Sequence, residues 1–383
     1  MENVKVFPVV VFSVLLCVLG VQSVDLKELP SCNFRAVYNF GDSNSDTGGG
    51  SAAFWPQGPP SGNTFFGRPA GRGCDGRLMI DFIAEHLGLP YLSAYLDSIG
   101  TSFRHGANFA MGGVTIRPQN ESMSLNGVPP FSLDIQMVQF NQFKARTSYL
   151  YNQAKNSHRS NLPRPQDFSK ALYMLDIGHN DISAGLRKKN DTDFHLSVPD
   201  MVEQLAKAVQ NLYDQGARTF WIHNTGPMGC LPVYLRYHDI KPDELDKQGC
   251  RKAQNDYATE FNRKLKDRVI KLRKELPQAA LTYVDMYAAK YKLIGNAKQQ
   301  GFVDATEVCC GFHQDDIHVY CGQKAKINGT VIYTGSCEDP SKYISWDGVH
   351  YSEAANHWVA NHIINGSFSD PPLPITHACH KLT

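Results

Sequence analysis

A chain of 383 residues, 42% hydrophobic and 20% charged, has the material for a large buried core, and no part of it has the low complexity of a disordered or fibrous segment. Lys and Arg number 38 against 37 acids, a net charge of +1, which lacks the basic excess of a nucleic-acid binder. No linker-like run, charge block or fixed-period repeat marks a seam, so one domain is expected over 24–383.

The N-terminus, MENVKVFPVVVFSVLLCVLGVQSVD, has one lysine, an apolar run and then small residues before Asp25, the next acid after Glu2. This is the pattern of a signal peptide over 1–23, with Val21 and Ser23 suiting a cut after Ser23. The run falls short of the roughly 20 apolar residues of a membrane helix. No second run of that length follows, so the mature chain is expected to have no stable membrane insertion.

Beyond the leader, short β-rich runs alternate with helical patterns. Ala36–Phe40 reads as a buried strand, LMIDFIAEHLGL as a helix and SLDIQMVQFNQFKART as another. Ala171–Ile177 is a second strand, and the apolar positions from Val198 to Ala217 trace a helix capped by Ser197. Arg218–Asn224 is a third strand, and the basic segment after it spaces Tyr257, Phe261, Leu265, Val269 and Leu272 as an amphipathic helix. Leu281–Tyr287 is a fourth strand, and a last helix runs from near Ser352 to about Asn365. Such alternation predicts an α/β fold, a mostly parallel sheet covered on both faces, with ligands outside the carboxyl ends of the strands.

Export predicts oxidised cysteines and glycans. Cys17 leaves with the leader. Cys309, Cys310, Cys321 and Cys337 are crowded enough to pair among themselves, Cys230 with Cys250 closes a short loop, Cys32 and Cys379 tie the ends together, and Cys74 is left over. The doubled Cys-Cys lacks the Cys-x-x-Cys spacing of zinc knuckles, so no metal is expected. Asn-x-Ser/Thr acceptors for N-glycosylation occur at Asn120, Asn190, Asn328 and Asn365.

The residues just after the strands carry the chemistry. In VYNFGDSNSDTGGG, Ser43 follows a strand that ends at a glycine turn, where a serine is either a helix cap or a nucleophile lifted above the sheet edge. A serine hydroxyl needs a base and a group to orient that base, and SWDGVHYSEAAN offers His350 and Asp347, three residues apart ahead of a helix. DIGHND, after the second strand, offers the Asn180 amide, and GANFAMGG offers the Gly112 N–H, both as donors to an oxyanion beside the Ser43 N–H. Each piece has a bland reading as a cap, turn or loop, but together they complete a nucleophile, a base, an orienting acid and an oxyanion hole. Phe54, Trp55, Phe65 and Phe66, after the first block, are candidates for the wall of an apolar pocket, with loop packing as the alternative.

With these blocks in this order, the chain resembles a plant GDSL esterase/lipase of the SGNH hydrolase superfamily, closest to the early-nodule-specific and latex-allergen esterases and near the acetylajmalan esterases. WIHNTGPMGC fits a further segment of the plant branch, and the resemblance covers essentially the whole mature chain. It implies a flavodoxin-like three-layer α/β/α fold without metal or cofactor. Ser43, Asp347 and His350 become the catalytic residues, and Ser43, Gly112 and Asn180 the oxyanion hole. The implied product is a monomeric serine carboxylic-ester hydrolase acting through an acyl-enzyme on a small-molecule ester: an acylated plant metabolite, a glycoside or a lipid ester. Its destination is the apoplast or the vacuole. Asn44 stands where many relatives have Leu, and His179 where Gln is more usual. An acyltransferase with a specialised alcohol acceptor shares the same site, and a non-catalytic secreted glycan-binding or defence protein shares the fold.

Overall fold

Four short apolar runs and a three-residue Gly-Ala-Asn strand build the central sheet: β1 (Val37–Gly41), β2 (Gly106–Asn108), β3 (Leu172–Asp176), β4 (Thr219–His223) and β5 (Ala280–Val284). All pair in parallel in the order β5-β4-β3-β1-β2, and the two-residue β10 (Ser369–Asp370) adds an antiparallel edge beside β5. This computed structural model describes residues 29–118, 131–153, 159–188, 191–236, 240–314 and 317–382. The expected leader, 1–23, and the acceptor sites Asn120 and Asn190 lie outside them, whereas Asn328 and Asn365 are exposed. Contacts divide the chain into two units, Met1–Pro30 and Ser31–Thr383, and every element described here belongs to the second.

The period-2 alternation of the strands sorts their side chains onto two faces. Tyr38, Phe40, Tyr173, Leu175, Phe220 and Ile222 enter one core, and Val37, Leu172, Met174 and Trp221 enter the other. Helices α3 (Leu133–Gln153), α5 (Asp191–Asp214) and α6 (Lys252–Glu275) cover the first face through residues such as Phe140, Leu205 and Phe261. The second face is covered by α2 (Met79–His86), α7 (Met286–Gly295) and α8 (Glu353–Ile364), where Ile83, Leu293 and Val359 pack; α1 (Gly49–Ala53) follows β1, and α4 (His179–Lys188) follows β3. The result is the expected three-layer α/β/α arrangement, and its strand order reverses direction between β1 and β3, where ligands bind in doubly wound sheets.

Two expectations need correction. The helix expected from Val198 begins at Asp191, with Pro199 inside it, and the Ser197 hydroxyl donates to the Phe194 carbonyl at 2.7 Å instead of capping. Buried Phe194 extends the apolar stripe by one turn, and that packing outweighs the missing proline N–H. The fourth strand stops at Val284, because Asp285 caps α7 by accepting the Ala288 N–H at 3.0 Å.

The cysteines pair as Cys32–Cys379, Cys230–Cys250, Cys309–Cys337 and Cys310–Cys321, leaving Cys74 buried and free. The last two bridges fasten a pair of antiparallel hairpins, β6 (Phe312–Gln314) with β7 (Ile317–Val319) and β8 (Lys324–Ile327) with β9 (Thr330–Tyr333). Among the described residues no helix is long and apolar enough to cross a membrane.

Candidate active site

Ser43 owes its position to the glycine before it. A Cβ on Gly41 would lie 2.4 Å from the Asp176 carbonyl oxygen, so only glycine lets β1 run this close to β3 before turning. The Asp42 N–H then donates to that same carbonyl at 3.1 Å, and the Asp42 carboxylate accepts the Asn44 N–H at 3.0 Å and the Asn44 side-chain amide at 2.9 Å. Capping is done by Asp46, whose carboxylate accepts the N–H groups of Gly48, Gly49 and Gly50 ahead of α1. The Ser43 hydroxyl caps nothing and faces the imidazole of His350, with Oγ 2.8 Å from Nε2.

On the other side of the site, Asp347 and His350 share one tight turn. The Asp347 carboxylate accepts the backbone N–H groups of Val349 at 3.0 Å and His350 at 2.7 Å, and its Oδ2 lies 2.7 Å from His350 Nδ1. Gly348 turns the chain at φ 92°, a left-handed conformation that disfavours any side chain. Ser352 closes the motif by capping α8 through the Ala355 N–H at 3.2 Å. Carboxylate, imidazole and hydroxyl thus form one hydrogen-bonded row, with the two outer side chains of the dyad about one-fifth exposed, 22% for Asp347 and 21% for His350. Burial by itself pushes the imidazole pKa down, but the Asp347 charge and hydrogen bond outweigh it and the net shift is upward; Asp347 in turn is held below the usual carboxylate value by the imidazole despite its own burial.

Asn180 sits in the first turn of α4 and shares a cavity of about 590 Å³ with Ser43 and His350. One hydrogen of its amide is donated to the Val114 carbonyl at 2.9 Å, which fixes the group and leaves its second hydrogen. Gly112 also comes close, since a Cβ there would lie 3.8 Å from Ser43 Cβ, but its N–H is donated to Asp46 Oδ2 at 2.8 Å. His179 lies behind: its Nε2 accepts the Gly226 N–H at 3.0 Å, and its Nδ1 stands 3.2 Å from the Asn44 side-chain amide and 3.4 Å from Asp42 Oδ2.

Sequence reasoning missed the wall of this cavity. Phe54, Trp55, Phe65 and Phe66 do not line it; they pack on one another and on Phe131 and Tyr91, with Phe65 and Phe66 in the short helix Asn63–Phe66. Its apolar wall comes from Met228, Leu231, Val233 and Tyr234, in and after WIHNTGPMGC. Asp46 and Lys290 were missed as well. The available signal was an acid in a glycine-rich turn for the first, and for the second a lysine at a position of α7 whose helical neighbours Met286, Leu293 and Ile294 are all buried.

Comparison with known proteins gives the family. The family model of the GDSL-like Lipase/Acylhydrolase group matches residues 37–363. A protein of Arabidopsis thaliana called GDSL esterase/lipase At5g14450 is 57% identical over 97% of this chain and 96% of its own length, and GDSL esterase/lipase ACHE of Zea mays is 51% identical over 91% and 90%. Alpha-L-fucosidase 3 of Arabidopsis thaliana is 47% identical over 88% of this chain and 91% of its own. The chain belongs to the GDSL-like lipase/acylhydrolase family and is a carboxylic ester hydrolase of the plant GDSL esterase/lipase group.

Proposed function

We propose that the protein cleaves its ester through an acyl-enzyme on Ser43, with His350 as base and Asp347 as its orienting acid. The observation that carries this reading is the unbroken row from Asp347 Oδ2 through His350 to Ser43 Oγ, at 2.7 and 2.8 Å. His350 Nε2 takes the hydroxyl proton as Oγ bonds to the ester carbonyl carbon, and the carbonyl π electrons move onto oxygen. The Ser43 N–H and the second hydrogen of the Asn180 amide meet that oxygen; a donor of this kind contributes roughly 3 kcal/mol. Gly112 joins them as the third donor when its N–H turns or forks from Asp46 toward the oxyanion. Collapse of the intermediate breaks the ester C–O bond, and His350 gives its proton to the leaving alcohol. Water then repeats the sequence and frees the acid.

The substrate is a small acylated plant metabolite, glycoside or lipid ester, and the protein reaches it through the secretory route, glycosylated at Asn120, Asn190, Asn328 and Asn365. A glycosidase, as one relative's name suggests, needs two carboxylates flanking the bond. No carboxylate is among the described residues that line the cavity, which favours the ester. The reading is tested with Ser43→Ala assayed on 4-nitrophenyl acetate: turnover should fall to background, and turnover within about threefold of the unaltered protein would refute the assignment of the nucleophile.

A further inference from the structure

One group in the cavity has no part in this chemistry. Lys290, on α7, is only 5% exposed and lines the cavity together with Ser43 and His350. Its Nζ lies 4.8 Å from the centre of the Tyr351 ring, and among the described residues it has no hydrogen-bond or ion-pair acceptor. An ammonium taken out of water without an acceptor is costly, and that cost is removed when an oxygen from a bound molecule meets it. The backbone makes room for it: a Cβ on Gly226 would stand 2.9 Å from Lys290 Cδ and 3.6 Å from Nζ.

The charges around Lys290 narrow what that oxygen belongs to. Asp42 and Asp176 attract the ammonium from below, although burial dominates and lowers its pKa. Neither acid lines the cavity: Asp42 holds Asn44 and faces His179, and Asp176 Oδ2 lies 3.4 Å from His223 Nδ1. What the cavity presents to a ligand is buried Lys290, exposed Arg187, and between them a mixed lining of apolar Met228, Leu231 and Val233 with neutral-capable polar groups such as Ser183 and His318, with no carboxylate among the described lining residues. A dianion such as a phosphate monoester would feel two buried acids behind a single ammonium, whereas a monoanion matches it.

We propose that the cavity selects esters that carry a carboxylate, which Lys290 binds directly and Arg187 attracts at the mouth. The proposal rests on the ester-hydrolase reading and adds the substrate class. The carboxylate can belong to the acyl half or to the alcohol half, and two matched pairs separate these sources. Mono-4-nitrophenyl glutarate against 4-nitrophenyl butanoate places the charge on the acyl side, and 4-acetoxybenzoate against 4-acetoxybenzamide places it on the alcohol side.

For at least one pair the unaltered protein should show kcat/KM about tenfold or more higher for the anionic member, the scale of one charged hydrogen bond. That ratio should fall about tenfold in Lys290→Met and by a smaller factor in Arg187→Gln, whose exposed site supplies the test if Lys290→Met does not fold. A ratio at or below one in both pairs, or a ratio unmoved by both substitutions, overturns the proposal. Turnover of the neutral esters without preference leaves the hydrolase reading standing and removes this one. No turnover of any of the four, together with no phosphonate adduct on Ser43, removes both.

Discussion

The proposed mechanism makes pH dependence a matter of one side chain. In it His350 must be neutral to take the Ser43 proton, and its pKa is raised above the ordinary 6.5 because the Asp347 charge and hydrogen bond exceed the opposing effect of burial. Activity should therefore fall as pH drops through a midpoint above 6.5, read as kcat/KM for a neutral aryl ester across the acid and neutral range. Asp347→Asn removes the largest of the effects that raise the pKa and leaves only the weaker Asp42 charge, so the midpoint should move down while turnover at neutral pH falls by about 10⁴-fold, the cost of a wrongly held imidazole. A midpoint at or below 6.5 in the unaltered protein would contradict this account. Ser43, Asp347 and His350 were legible in the sequence because a strand end positions the first and a single turn pairs the other two, although it is the fold that brings Ser43 to His350 across 307 residues. The commitment of the Gly112 N–H was not, since it depends on where Asp46, 66 residues away, comes to rest. Lys290 escaped for a related reason: a lysine in an amphipathic pattern reads as solvated until the cavity beside it is known.

At the scale of elements, the segment after Ser43 is held by a buried ion pair. Arg72 Nη2 meets Asp81 Oδ1 at 2.6 Å and its Nε meets Oδ2 at 2.9 Å, while Asp81 also accepts the Leu78 N–H at 2.9 Å at the start of α2. Arg72 further donates to the carbonyls of Ala70 at 2.8 Å and Thr47 at 3.4 Å, which joins α2 to the chain leaving the GDS turn. Asp81→Ala strands a buried guanidinium and should cost about 3–5 kcal/mol in urea unfolding. A loss below about 1 kcal/mol would show that the pair does not hold these elements together. Four of the five parallel strands and most helices were legible from periodicity; β2, only Gly106–Asn108, was not, because it carries no apolar run, and the early start of α5 was hidden because Ser197 imitates an N-cap.

For the whole molecule, the parallel order β5-β4-β3-β1-β2 follows from strands that alternate with helices; residues 43, 180 and 350 meet at one cavity, and Asp347 joins them through His350. The doubled Cys309-Cys310 left its pairing open in the sequence, because partner choice within a cluster is decided by the hairpins that the chain folds between them. Cys32–Cys379 joins residues 347 apart and so constrains nearly the whole unfolded chain. The double substitution Cys32→Ser, Cys379→Ser should lower unfolding stability by about 3–5 kcal/mol. An unchanged denaturant midpoint would mean that the unfolded chain gains little freedom when this bridge is absent.

The central claim is that Ser43 is the group that becomes acylated. The most direct measurement is to treat the purified protein with a fluorophosphonate and to locate the adduct by peptide mass spectrometry. A single adduct on the peptide containing Ser43, abolished by Ser43→Ala and suppressed by His350→Ala, is the predicted result. An adduct on another residue, or undiminished labelling of the Ser43→Ala protein, would contradict it.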